Sequence, residues 1–280
     1  MNFKKPVHII LLFALAFGLG ACSTLQPPDA NGPRGAEDTY PFLFTADDAR
    51  QNATTAAIGR LIQPVTAETS SAQPLTLTVQ GLKPVVNQPL FLPKLGTDAV
   101  MTEEQTRESL RRFIREWQDL IGADPAKLSL VERIDRPDGI KLATYEQKPF
   151  RYPIRGNFGR LQLRFTTDRR VVSMSSNCIP DADRIQTVLA GVTTKLKPED
   201  AINQVMNTTT TFAGPAGTQQ SFKPTNANQL KVQELVTYIR PSKSKPEALE
   251  FHIAWEIELS GSTLKKVYVD AVNGEVLVSD

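Results

Sequence analysis

The most regular alternation of apolar and polar positions covers Leu249–Leu259, near the C-terminus. Every second residue from Leu249 onward is apolar, and the positions between carry Glu250, His252, Ala254, Glu256 and Glu258. A strict two-residue period predicts a long antiparallel strand with one face on the core and a polar, solvated face. The four ionisable side chains on that polar face form the candidate binding surface of the chain.

The clearest helical pattern covers residues 102–121. Apolar residues recur there at intervals of three and four positions, which gives one apolar stripe. Thr102 and Gln105 predict a capping box at its start, and Gly122 lies where a helix commonly ends. Two further helices are expected, one over residues 45–62 and a short one that Pro198 opens.

Shorter alternating segments predict two hairpins in the middle of the chain. Residues 128–134 and 140–146 flank a Pro-Asp-Gly turn, and residues 159–166 are followed by 171–174. Both pairs favour antiparallel sheet.

Three further predictions complete the outline. Residues 75–79 alternate like a first strand, residues 207–228 have the composition of a long polar loop, and Asn273-Gly274 predicts a type I′ hairpin turn. The fold class is therefore α+β, with two modules of antiparallel sheet that are each packed by a helix. We place the modules at residues 75–195 and 196–280.

The N-terminus has the pattern of a secretory signal. Lys4 and Lys5 precede a short apolar run, and Leu19-Gly20-Ala21 ends directly before Cys22. The run is too short for a permanent membrane span. This arrangement resembles the lipobox of bacterial lipoproteins, in which residues 1–21 would be removed and Cys22 acylated.

The lipobox resemblance also implies a location. Ser23 follows the cysteine, in place of the aspartate that commonly retains such lipoproteins in the inner membrane. We therefore expect an outer-membrane lipoprotein that faces the periplasm, in a host with two membranes. Residues 22–74 are rich in Pro, Gly and small polar residues, and we expect a lipid-anchored, partly disordered tether there.

Charge and cysteine content narrow the range of partners. The chain has a formal net charge of +2, but both lysines of the leader leave with it and no acid does, so the mature chain is neutral. Nothing in this balance favours nucleic acid as a partner. If Cys22 carries lipid, Cys178 is alone, and it is either buried or a candidate for pairing with another chain.

Two groups of residues resemble known propeptide domains. Ala254-Trp255-Glu256-Ile257 and the stretch from Lys266 to Leu277 are similar to the PepSY domain. Upstream, Tyr145-Glu146-Gln147, Tyr152-Pro153-Ile154 and the stretch from Gly159 to Leu163 resemble the fungalysin–thermolysin propeptide (FTP) domain, with Arg151 where that family often has glycine. In both families these domains precede a metallopeptidase, which they chaperone and inhibit.

The histidine and cysteine content indicates that the chain is not itself a peptidase. His252 is the one histidine after the leader, so no H-E-x-x-H motif exists, and no cysteine–histidine spacing predicts a metal or another cofactor. Pairing of Cys178 with His252 as a nucleophile has no supporting motif. We expect no catalytic residues.

Two classes of function remain open at the sequence level. One is a lipid-anchored protein that inhibits a secreted metallopeptidase, or assists its folding, in trans. The other is an envelope lipoprotein that uses the PepSY-like fold as a ligand-binding or structural module.

Overall fold

A computed structural model describes most of the chain after the N-terminal segment. The described residues are 40–61, 71–73, 75–84, 89–98, 100–148, 150–213 and 218–278. The predicted signal at 1–21 and the predicted lipidation site Cys22 lie outside these ranges and stay predictions. All described residues belong to one compact unit, Ala36–Asp280.

The helices of the described residues are short. They are α1 (Asp48–Leu61), α2 (Glu103–Glu116), α3 (Gln118–Ile121), α4 (Ala182–Ala190) and α5 (Pro198–Asn207). None of these helices has both the length and the apolar content that a membrane crossing requires.

The described residues also form strands before, between and after these helices. They are β1 (Phe42–Phe44), β2 (Ser71–Gln73), β3 (Thr78–Gln80), β4 (Leu128–Asp135), β5 (Ile140–Gln147), β6 (Ile154–Arg155), β7 (Arg160–Thr166), β8 (Val171–Ser176), β9 (Thr210–Ala213), β10 (Gln219–Phe222), β11 (Leu230–Pro241), β12 (Leu249–Leu259), β13 (Lys266–Asp270) and β14 (Val276–Val278).

The first large sheet has the order β4-β5-β7-β8 and is antiparallel throughout. The apolar stripe of α2 and α3 packs on one face of it, because Leu110 and Phe113 of the helix meet Ala143, Leu161 and Leu163 of the sheet in one buried cluster. Phe113 and the three sheet residues are fully buried. This layer is the core of the first predicted module.

The second sheet has the order β14-β13-β12-β11-β6, and β1 also pairs with β12. Helix α5 covers one end of its apolar face through Ala201 and Val205, which pack with Ile257 and Val267. Helix α4 covers the other end in a cluster that includes Phe251. The fold is therefore α+β, as predicted, with helices packed on sheets that are antiparallel apart from the short parallel pairing of β6 with β11.

Most predicted elements are confirmed, with small shifts at their ends. The helix after Thr102 begins with the predicted capping box and ends at Gly122, but it is interrupted at Trp117, whose backbone leaves helical geometry. The hairpins β4–β5 and β7–β8, the helix α1, the helix that begins at Pro198 and the long strand Leu249–Leu259 all form.

Three predictions of local structure are wrong. Residues 75–77 form a turn, in which Leu77 has φ of 51°, and only Thr78–Gln80 is strand. The predicted loop at 207–228 contains the hairpin of β9 and β10. Asn273-Gly274 is not a type I′ turn, because of the two only Gly274 has positive φ, at 79°.

The turn between β13 and β14 is instead a five-residue loop organised by Asp270. Its carboxylate accepts hydrogen bonds from the backbone N–H groups of Val272 and Asn273, at 2.8 and 3.0 Å. Gly274 donates its N–H to the Asp270 carbonyl at 3.0 Å, and this closes the loop.

The predicted bounds of the tether and of the two modules stay predictions, although strand pairing crosses these bounds. Residues 42–44 and 48–61, within the range predicted as tether, are strand and helix. The boundary near residue 195 falls between α4 and α5, yet β1 and β6, which precede it, both pair with the second sheet. Separate folding of the two modules stays a prediction.

Candidate functional site

The four ionisable residues of the candidate binding surface lie on β12, but three of them are buried. Glu250 and Glu256 are 6% and 3% exposed and His252 is fully buried, whereas Glu258 is exposed. The prediction of a solvated polar face is therefore wrong for these three. Neighbouring strands supply partners that the alternation along β12 cannot reveal.

The first group of partners surrounds His252. Its Nδ1 lies 2.7 Å from Oδ2 of Asp270, and its Nε2 lies 3.4 Å from Oε2 of Glu250. Tyr40 donates its hydroxyl proton to the same Oδ2 atom at 2.8 Å, and its ring packs edge-on against the imidazole. Burial, together with the negative charge of Asp270, raises the pKa of Tyr40, so this hydroxyl remains a donor.

The second group holds Glu250. Arg240 Nε donates to Glu250 Oε2 at 2.8 Å, and the Ser242 hydroxyl donates to Oε1 at 2.8 Å. Arg240 also reaches Glu275 at 3.0 Å. Burial opposes ionisation of Glu250, but the hydrogen bonds from Arg240 and Ser242 outweigh it, and the pKa of Glu250 is lowered.

The third group holds Glu256. Lys266 Nζ lies 2.7 Å from one carboxylate oxygen and Arg155 Nε lies 2.6 Å from the other. Burial again opposes ionisation, and the two cations reverse its effect, so the pKa of Glu256 is lowered. Tyr238 and Tyr268 stack beside this group with ring centroids 4.5 Å apart.

Sequence reasoning missed most of these partners. Arg155 comes from β6, which precedes β12 by about a hundred residues and joins the sheet through two residues of parallel pairing with β11. Its pairing with Thr237 and Tyr238 places the Arg155 side chain over the same face as Glu256. No local pattern marks a two-residue strand, so no signal in the sequence would have identified Arg155.

In this arrangement Glu250, His252 and Glu256 of β12 are all engaged with side chains of the same chain. Both ring nitrogens of His252 face carboxylates, and each carboxylate of the three groups accepts from at least two donors. In the described part of the chain, no group of three or more His, Cys, Asp or Glu side chains could hold a metal ion. The geometry is that of a buried charge network that fixes the sheet.

Cys178 does not join this network. It is fully buried in the core cluster below α2 and α3, which confirms the buried alternative of the two left open by the sequence. Burial raises the pKa of its thiol to about 12. A nucleophilic pair of Cys178 and His252 is therefore not formed.

An accessible strand edge and a cleft lie outside this network in the described part of the chain. The first is β4, which pairs with β5 on one side and, within the described ranges, has no strand on the other. Val131 and Ile134 of this strand are 50% and 38% exposed. A register shift between Leu130 and Glu132 marks a bulge in the middle of the strand.

The second feature is a cleft of about 460 Å³ between the end of the first sheet and the loop that follows β6. Its rim includes the exposed Glu146 and Arg160, which form a salt bridge at 3.1 Å, and Phe158 also lines it. Arg155 also lines it, next to the buried charge network.

Comparisons with known proteins add little to this picture. No family model matches the chain, and no curated protein matches it. Among solved structures, the chain is similar to the Bacillus megaterium YpeB C-terminal domain, with a TM-score of 0.28 and 10% identity over 84% of this chain and 98% of that domain. At this TM-score the likeness supports no conclusion about mechanism.

Proposed function

We propose that the protein is a non-catalytic, lipid-anchored envelope protein that binds a secreted metallopeptidase in trans and inhibits it or assists its folding. The proposal starts from the resemblance of residues 145–163 and 254–277 to propeptide domains. Propeptide domains act by matching the surface of an enzyme, and modules of this kind would present such a surface to an enzyme in trans.

The observation that carries the proposal is the open edge of β4. An edge strand presents unpaired N–H and C=O groups, which are a template for pairing with a strand of another chain. Val131 and Ile134 add exposed apolar area to this edge, while Glu132, Arg133 and Asp135 place charges beside it. This combination suits a partner that adds a strand to the sheet beside β4 and is recognised through the alternate side chains of that added strand.

The buried network on β12 supports the non-catalytic part of the proposal. A catalytic acid, base or nucleophile must reach substrate, and the enzyme must leave room for it. Glu250, His252 and Glu256 are instead buried, the glutamates held by cations of the same chain and the histidine by carboxylates. Their role is to hold the sheet.

Attachment through Cys22 is the other part of the proposal. Acylation of a lipobox cysteine gives the chain a stable membrane attachment when two or more acyl chains are present. A partner captured at β4 would then be held near the outer membrane, on the periplasmic side.

The test is a titration of the mature chain against thermolysin-type metallopeptidases of the same organism. We expect inhibition or a stable complex at micromolar concentration with at least one enzyme. Val131→Lys with Ile134→Lys should weaken that complex by about tenfold or more, because edge lysines oppose strand pairing. The matched control is Val100→Lys, which changes an exposed valine, 59% accessible, outside any strand.

Two results would remove the proposal. One is the absence of inhibition and of complex formation with every such enzyme. The other is a complex that the double lysine variant and the Val100→Lys variant weaken equally.

The cleft beside Arg155 supports a second candidate function, a ligand-binding envelope lipoprotein. Its volume of about 460 Å³ lies within the range of small-molecule sites. Glu146 and Arg160 supply opposite charges at its rim. If small polar ligands raise the melting temperature of the wild-type chain and Arg160→Ala abolishes the shift, this function replaces the first.

A further inference from the structure

Strands β1 and β13 share one edge of β12, end to end. β13 pairs with residues Ala254 to Glu258, and β1 pairs with Leu249 to Phe251. The ordered path of the sheet runs from β14 to β6 without β1, which attaches beside that path through three residue pairs. β1 is thus a strand added to a sheet that is otherwise continuous.

A tyrosine side chain spans the junction between β13 and β1. Ile253 lies on β12 between the residues that pair with β1 and those that pair with β13, and it donates its backbone N–H to the Tyr40 hydroxyl at 2.8 Å. Its carbonyl oxygen accepts from the Ala271 N–H at 2.8 Å on the same edge. The Tyr40 hydroxyl donates to the buried carboxylate of Asp270 at 2.8 Å. A tyrosine at this position therefore bridges the Ile253 N–H and the Asp270 carboxylate.

The rest of the segment fits a preformed apolar surface. Phe44 is 1% exposed and packs in a cluster with Phe251, Ile185 and Leu189, the last two on α4. Phe42 meets the ring of Phe251 edge-on, with centroids 5.9 Å apart. Phe42 and Phe44 occupy alternate positions of β1, the spacing of side chains on one face of a strand, and Tyr40 precedes the strand by two residues.

From this geometry we infer that the edge of β12 from Leu249 to Ile253 is a strand-binding site. In the structure it is occupied by the chain's own segment, residues 40–44. Its ligand in trans is an extended segment of a partner protein with the pattern Tyr-x-Phe-x-Phe. Main-chain pairing supplies affinity in this mode, and the pockets for alternate side chains supply specificity.

The cis segment acts as an occluding ligand in this arrangement. A strand tethered to its own site competes at a high effective concentration, so a segment in trans binds only when the cis strand is weakened or drawn away. The site is separate from the open edge of β4, and the inference does not depend on the proposed peptidase partner.

The experiment uses the full mature chain and a fluorescent peptide with the sequence of residues 40–47. Phe44→Ala in the chain empties the aromatic pocket while the peptide retains its phenylalanine. We expect this variant to bind the peptide at least about tenfold more tightly than the wild-type chain does. Phe91→Ala, which truncates a phenylalanine that is 43% exposed elsewhere, should behave like the wild type.

Variant peptides test whether the site recognises individual side chains of the bound segment. A peptide with alanine in place of Phe44, or phenylalanine in place of Tyr40, should bind the Phe44→Ala chain at least about fivefold more weakly, because each lacks one of the two recognised groups. Equal binding of all three peptides would overturn the inference. So would a folded Phe44→Ala chain, with unchanged circular dichroism, that does not bind the peptide.

A second measurement covers the case in which Phe44→Ala does not fold. Amide hydrogen exchange of the wild-type chain should show residues 42–44 opening at least about tenfold more often than β12 separates from β11. Tyr40→Phe should increase that opening and leave unchanged the amides that pair Ala254–Glu258 with β13. If residues 42–44 exchange only together with β11 and β12, the segment is part of the core and the inference is wrong.

Discussion

The charge network on β12 predicts a large difference between two neighbouring glutamates. Glu256 is buried and joined to Arg155 and Lys266 at 2.6 and 2.7 Å, whereas Glu258, two residues on, is exposed and bonded to Gln233 at 2.6 Å. Glu256→Gln keeps the shape of the side chain but removes its charge. It leaves two cations beside an amide that cannot compensate both.

The magnitude follows from the contacts that are lost. A hydrogen bond to a charged group contributes about 1.5–3 kcal/mol. Lys266 is 46% exposed and can be solvated again, and the amide oxygen of glutamine still accepts one bond, so about one such contribution is lost. We expect Glu256→Gln to lower the free energy of unfolding by about 2 kcal/mol, and Glu258→Gln by less than about 0.5 kcal/mol.

The assay is urea denaturation followed by circular dichroism, with thermal melts as a check. A loss of about 2 kcal/mol corresponds to a fall in melting temperature of roughly 4–8 °C for a chain of this size. If both glutamine variants shift the midpoint equally, the network contributes nothing particular to stability, and the reasoning is refuted.

The pH dependence of stability provides an independent test of the role of Glu256. The pKa of Glu256 is lower in the folded chain than in the unfolded chain, so its ionised form stabilises the fold. That contribution is complete above the unfolded pKa, about 4.3, and is lost as the pH falls through the folded pKa. The difference between the wild type and Glu256→Gln should therefore shrink below about pH 4, and a difference that grows there would contradict the assignment.

Three further predictions concern single residues. Gly156→Ala should lower the free energy of unfolding, measured by urea denaturation, by at least about 2 kcal/mol more than Gly139→Ala does. Both sites have positive φ, but only at Gly156 would the Cβ lie 2.3 Å from the Ile239 carbonyl oxygen. Equal losses would show that the loop relaxes. Cys22→Ala should give an unprocessed precursor without lipid label, and normal processing would remove the lipobox assignment. In a Cys22→Ser chain, Cys178 should react with a disulfide reagent at least about a hundredfold faster in urea than in buffer, because its thiol is buried and its pKa is raised to about 12; equal rates would place it at the surface.

The elements that sequence reasoning predicted are those with a local cause. The strand Leu249–Leu259 follows from its own alternation, and the start of α2 follows from the capping box at Thr102. The partner strand Leu230–Pro241 was missed because a register shift between Val232 and Leu235 breaks its two-residue period. A bulge interrupts the alternation along a strand and can hide the strand from a pattern of this kind.

The elements that were missed depend on contacts distant in sequence. The three residues Phe42–Phe44 form a strand because the edge of β12 is there to pair with them. The polar face of β12 was expected to be solvated because alternation records the side chains of one strand only. Arg155, Arg240 and Lys266, which neutralise that face, lie on three other strands.

We propose that β4, and not the charged face of β12, is the surface that binds a partner. The most direct test is amide hydrogen exchange of the mature chain with and without a captured metallopeptidase of the same organism. Our account predicts protection of Leu128–Asp135 in the complex, with little change in Leu249–Leu259. Protection of Leu249–Leu259 while Leu128–Asp135 stays unchanged would contradict it.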